Sequence, residues 1–192
     1  QKRFLFGDGD SQPIVWPVPV VVSGKGAMGV DKILMDGKES TLRLENGRPA
    51  SPSNGWVKVN AGQAGFYRVS YDAEEWDRLI PAIEALELPA ADRLGIQGDG
   101  YALCRARLLP ATRFLQMANA YKNETEYAIW RDLASSLRGL DQLFSEESYQ
   151  PKFHAFARVL LKPVTQNVGW HRRPDEGHLD VLLRSIVLGE MG

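Results

Sequence analysis

Apolar residues recur at every second position over residues 1–71 and at every third or fourth thereafter, so the chain divides into a strand-rich part and a helical part. The clearest alternation lies at residues 56–71. Val57 and Val59 share one face of a first arm, and Gly65, Tyr67, Val69 and Tyr71 share one face of a second. Gly62 and Gly65 supply the freedom to turn between them, so the stretch reads as a β-hairpin. Upstream, residues 2–6 form a short strand-like run ended by Gly7-Asp8-Gly9-Asp10. Ile14, Trp16, Val18, Val20 and Val22 then line one face of a further strand whose other face carries Pro17 and Pro19. A proline cannot donate to a ladder, which predicts an edge strand or one with a free side. Residues 30–35 and 40–44 pair around Asp36-Gly37, and residues 46–54 are loop. Strands this short, linked by turns, predict an antiparallel β-sandwich of immunoglobulin or fibronectin type over residues 1–71.

The period changes at Asp72, which with Glu75 has the spacing of a capping box. The first helix is expected to cap the sandwich through Trp76, Leu79 and Ile80, docked rather than loosely linked. Pro81 and Pro89 are expected to cut the helical run into short pieces, and Gly98 and Gly100 to weaken a helix over 92–107 by about 1 kcal/mol each. Further helices are predicted over 112–121, 126–143, 147–161 and 177–188. Trp130, with Leu133, Ala134 and Leu137, and the pair Phe153 and Phe156 fall on apolar stripes and read as core. Residues 72–192 thus form the beginning of an all-α solenoid of HEAT or armadillo type, although no fixed repeat is visible.

Composition adds bounds. With 44% hydrophobic and 24% charged residues the chain can bury a core, and it contains no apolar run of membrane-spanning length. Nothing at the start has the regions of a signal peptide, and the absence of an initial Met suggests a piece of a longer protein. The net charge of −1 argues against nucleic acid or an anionic membrane as the main partner. It conceals an asymmetry: nine Lys/Arg against six Asp/Glu in residues 1–71, and fourteen against eighteen in residues 72–192. A single cysteine, Cys104, excludes an internal disulfide and favours a reducing, cytoplasmic setting, whereas the Asn123-Glu124-Thr125 sequon points the other way with little weight.

Candidate chemistry is sparse. His154, His171 and His178 are the only histidines, and none stands in a His-Glu-x-x-His arrangement that would put two imidazoles on one helical face. Glu176, His178 and Asp180 surround a helix start, where carboxylates complement the macrodipole. Asp8-Gly9-Asp10 lacks the following acidic position of a calcium loop, and Gly24-Lys25 lacks the rest of a phosphate loop. Cys104 has no histidine spaced to activate it and reads as a buried small hydrophobe. Tyr67 shares the inward face of Val69 and Tyr71, and Arg68 falls on the wetter one. No residue is assigned a catalytic, cofactor-binding or metal-binding role.

Several of these stretches carry a resemblance. Trp56-Val57-Lys58, Asn60 and Gly65-Phe66-Tyr67-Arg68-x-x-Tyr71 resemble the end of the sandwich in the zinc aminopeptidases of the gluzincin family. The similarity continues in order through residues 88–97, Asp99, Asn123-Glu124 with Tyr127 and Trp130, Gly169-Trp170, and residues 176–184. It departs from the family pattern at Gly98-Asp99-Gly100. The resemblance implies a parent enzyme that uses a zinc-activated water to remove N-terminal residues from peptides. The zinc-binding His-Glu-x-x-His helix and the Gly-x-Met-x-Asn strand are absent, so the chain is expected to be a non-catalytic spacer and a wall of the peptide-holding chamber. The competing expectation is an adaptor whose sandwich and solenoid bind a protein partner. The apolar circumference of the final helix, with Leu179, Val181, Leu182, Leu183, Ile186, Val187 and Leu188, also leads us to expect self-association of the isolated chain.

Overall fold

The computed structural model describes Gln1, residues 14–42 and residues 55–190. The expected strand over 2–6, the Asp8-Gly9-Asp10 turn, the end of the strand over 40–44 and the 46–54 loop lie outside these residues. Three strands form one antiparallel sheet: β1 (Val18–Gly24), β2 (Asp31–Met35) and β3 (Val57–Val59), in the order β2-β1-β3. Six helices follow: α1 (Ala73–Glu84), α2 (Ala90–Arg105), α3 (Ala111–Asn119), α4 (Tyr127–Leu143), α5 (Gln150–Val168) and α6 (His178–Gly189). The described residues are therefore mostly helical, with one small sheet rather than two facing sheets.

The strands differ from expectation at β2 and at the second arm of the hairpin, while β1 takes the second of its two expected forms. It is the central strand with a free side at its start, pairing Val18 to Val22 with β2 and Val22 to Gly24 with β3. Because β3 reaches only as far as Val22, Pro17 and Pro19 lie where β1 has a neighbour on one side, so their missing donors leave no gap in the ladder. β2 pairs with β1 rather than with residues 40–42, which are not strand. The second arm of the 56–71 hairpin is not a strand either. The outer edge of β3 is satisfied by side chains: Val57 N–H donates to the Glu75 carboxylate (2.6 Å), and Val59 N–H donates to the Tyr71 hydroxyl (3.1 Å). Residues 65–71 nevertheless keep the predicted alternation, with Tyr67, Val69 and Tyr71 turned inward and Phe66, Arg68 and Ser70 outward.

The helices also outrun their expected breaks. Pro81 lies within α1 and Pro163 within α5. Pro81 and Asp77, whose carbonyl loses its helical partner, are both on the exposed side of α1, where water can replace the bond. Asp72 caps α1 by accepting the Glu75 N–H at 2.7 Å, but Glu75 turns to β3 instead of reaching back. Gly98 and Gly100 do not interrupt α2. A Cβ at Gly100 would lie 2.7 Å from Met117 Cε, so the missing side chain is the space that lets α3 pack close.

The helical part has two layers. α2, α4 and α6 stand side by side in one, while α1, the 3₁₀ segment Ala120–Asn123 that follows α3, and α5 neighbour one another in the other. One continuous apolar core runs from Trp56 through Trp76, Leu79 and Ile83 to Ile96, Trp130, Leu160 and Val187. Trp56 and Trp76 carry that core across the expected boundary at residues 71 and 72.

Candidate functional site

A dense group of charges lies where the sheet meets α2. In β3, Val57 and Val59 point one way, so Lys58 points the other, toward the helices, and its side chain is 0% exposed. Its ammonium donates to the carbonyls of Val59 (2.5 Å) and Asn60 (3.1 Å) and stands 3.7 Å from Asp92 Oδ1. Asp92 and Asp99 are seven residues apart, two turns along α2, and so share the face that meets the sheet. Asp92 also accepts the Gly62 N–H at 2.7 Å, and Asp99 accepts the Val69 N–H and an Arg68 N–H, both at 3.2 Å. Burial pushes the Lys58 ammonium down from its ordinary value against the pull of both aspartates. Burial likewise raises the Asp99 carboxyl, opposed by its bonds from Arg68 and Val69. Burial also holds the Tyr71 hydroxyl far above its usual range.

Two further buried charges repeat the arrangement deeper in the helices. Arg93 donates Nε to Glu124 Oε2 (2.7 Å), Nη2 to Oε1 (2.9 Å) and Nη1 to the Leu88 carbonyl (2.5 Å). Glu124 also accepts from the backbone of Thr125 and Glu126 at the start of α4, and although burial works to raise its carboxyl, these bonds prevail and hold it below the usual range. Arg184 pairs with Glu176 and donates to the carbonyls of Val168 and Gly169 at the end of α5. In all three groups the charges are spent on one another and on the backbone, so each fastens two elements; Glu124 and Glu176 also border a cleft, with their oxygens already bonded to Arg93 and Arg184.

The residues singled out in the sequence are scattered. His154 lies on α5 with Nε2 2.6 Å from Asp141 Oδ1, His171 is in the exposed loop before α6, and His178 begins α6. Among the described residues no three His, Cys, Asp or Glu side chains come close enough to hold a metal ion, so these residues do not fit a zinc ion. Cys104 is half-buried rather than buried, and its thiol is pushed up by that burial. Trp130 is fully buried, donating to the Glu124 carbonyl, and Phe153 is core, whereas Phe156 is only half-buried. Two clefts open on the helical part. One of about 590 Å³ lies among Thr125, Asn167, Arg173, Asp175 and Asp180. The other, about 630 Å³, lies among Arg138, Asp141, His154 and Glu190 over Phe153 and Leu161.

Sequence reasoning missed Lys58, Asp92, Asp99 and Arg93. The signal was present: Asp92 and Asp99 occupy the same stripe as Ile96 and Leu103, so acids stood at core-facing positions.

A model of the ERAP1-like C-terminal domain matches residues 56–192, from the start of β3 through α6. The chain belongs to that family. It is 36% identical over 176 residues to aminopeptidase M1-A of Oryza sativa subsp. japonica, a match covering 90% of this chain and 20% of that protein. It is 34% identical to aminopeptidase M1-B of the same plant over 98% of this chain and 22% of that protein. Glutamyl aminopeptidase of Rattus norvegicus is 28% identical over 98% of this chain and 20% of that protein. The chain thus spans about a fifth of the length of these relatives. The family match crosses the joint, with Lys58 on one side of it and Asp92 and Asp99 on the other.

Removing Lys58 leaves the buried Asp92 carboxylate without its cation, while Asp99 keeps Arg68. Lys58→Ala is therefore expected to destabilise the chain by about 3–5 kcal/mol, measured by urea unfolding. Asp99 gives a pH signature. Its folded-state value is raised, so its contribution is fully present below the unfolded value and is lost as pH rises through the folded one. The stability of Asp99→Asn relative to the native chain should therefore increase as pH climbs from about 4 toward neutrality. A difference independent of pH would show that Asp99 titrates alike in both states.

Proposed function

We propose that this chain is a non-catalytic part of a zinc-dependent aminopeptidase that removes N-terminal residues from peptides, in which it serves as spacer and as a wall of the substrate chamber. The observation that carries the reading is the family match through residues 56–192 together with full-length relatives that are aminopeptidases by name. The pairing of the Lys58, Arg93 and Arg184 groups within the fold supports a scaffolding rather than a chemical part. The resemblance of residues 56–71 to the puromycin-sensitive members of the gluzincin family supports the finer assignment.

The same proposal includes a β-sandwich and a solenoid. Val18, Val20, Val22, Ile33, Met35, Val57 and Val59 share one face of the sheet by register, and that face is turned away from Lys58 and the helices. An apolar face on the far side of a sheet suits a second sheet, which supports the sandwich. The two-layered helices suit continuation by further pairs. The single cysteine supports a cytoplasmic location.

The test is to extend the reading frame in both directions. Upstream Gly-x-Met-x-Asn and His-Glu-x-x-His segments are expected, in a protein whose aminopeptidase activity a chelator abolishes, while the 192-residue chain hydrolyses no aminoacyl substrate and carries no stoichiometric zinc. A reading frame without those segments would sink the proposal and favour the adaptor.

Self-association of the isolated chain also belongs to the proposal, and the structure changes which residues test it. Leu183 and Val187 are turned into the core, whereas Leu179 is 57% exposed and Leu182 half-buried on the outer side of α6. Light scattering coupled to size exclusion should show a mass above that of the monomer, reduced by Leu179→Glu with Leu182→Glu. A monomeric native chain that these changes do not alter would refute it.

A further inference from the structure

Phe66 is wholly exposed, at 109% of its reference area, on a loop whose other residues are held at almost every position. Asn60, at φ 60°, clamps the loop's far end by accepting the Gly65 N–H (2.8 Å) and donating to the Gly65 carbonyl (2.9 Å). Gly62 is tied to Asp92, and Val69 to Asp99. Gly62 and Gln63 are also left-handed, at φ 70° and 54°. The ring of Tyr67 lies so close to Gly65 that a Cβ there would come within 2.1 Å of it. Left-handed Asn60 and Gln63 carry backbone strain, and strain held by so many bonds preorganises whatever the loop displays. What it displays is one aromatic ring, with the half-exposed guanidinium of Arg68 two residues on and on the same outward side.

We propose that Phe66 is a docking anchor that inserts into an apolar pocket, bordered by a carboxylate opposite Arg68, on another domain of the same polypeptide. This rests on the reading of the chain as part of a longer aminopeptidase. Area selects a tethered partner. One phenylalanine buries about 150–250 Å², far below the roughly 1,200 Å² of a stable interface between separate molecules. A tether supplies the effective concentration that such a small contact lacks, and the relatives are about five times the length of this chain. The carboxylate follows from Arg68, which gives one N–H to Asp99 but keeps about half of its side chain exposed, with further guanidinium donors left to face the pocket as water is displaced.

The experiment places the photo-reactive p-benzoylphenylalanine at position 66, in the 192-residue chain and in the longer protein, and maps the cross-links by mass spectrometry. In the longer protein an intramolecular cross-link to a residue outside this chain is expected. In the 192-residue chain none is expected, and Phe66→Ala should leave its melting temperature unchanged while lowering that of the longer protein. Failure to cross-link in the longer protein, cross-linking between copies in either protein, or equal melting of the longer protein with and without Phe66 would overturn the inference. If the reading frame extends into an aminopeptidase and the cross-link fails, only the anchor falls. If it does not extend, the functional reading falls and the anchor with it.

Discussion

A lysine with no exposed surface at the centre of the joint constrains everything around it. An ammonium taken out of water needs acceptors on several sides, and Lys58 finds the carbonyls of Val59 and Asn60 and the Asp92 carboxylate, with the charge of Asp99 acting from further along α2. That requirement fixes the rotation of α2 about its axis, because Asp92 and Asp99 must both face β3. It also fixes the path of residues 60–69, whose backbone donors at Gly62 and Val69 occupy the remaining carboxylate positions. Sheet and helices therefore meet in one register, through directional bonds that a purely apolar contact would not supply.

The same device recurs as the helices accumulate. Arg93 and Glu124 join the front of α2 to the start of α4, and Arg184 with Glu176 joins α6 to the end of α5. Apolar burial supplies most of the stabilisation through the continuous core, but leucine and tryptophan contacts tolerate sliding. A buried bidentate pair does not, since a shift of an ångström leaves a charge without its partner. A scaffold that holds its elements in fixed relation is the part that suits a spacer between larger domains.

The joint also explains why the 56–71 stretch is not the hairpin its pattern suggests. Period-two alternation records which side chains face inward, and residues 65–71 obey it. It does not record what the backbone bonds to. Here Glu75 and Tyr71 reach the outer edge of β3 first, and Asp99 takes the Val69 donor, so the second arm lies alongside without becoming a strand.

The sequence by itself determined the change of period at Asp72, the positions of α4 and α6, the inward faces of residues 65–71 and the core roles of Trp130 and Phe153, because each depends on local spacing. It also carried the family resemblance, which the match over residues 56–192 bears out at the level of the family. Only the tertiary structure decided that β1 is central, that Pro81 and Pro163 are tolerated, that Gly100 makes room for Met117 and that Lys58 is buried. These depend on which strand arrives beside β1, which side of a helix meets water, and whether two acids two turns apart stand ready to receive a cation. Those are relations between residues on different elements, and no single periodic stretch of sequence contains both partners.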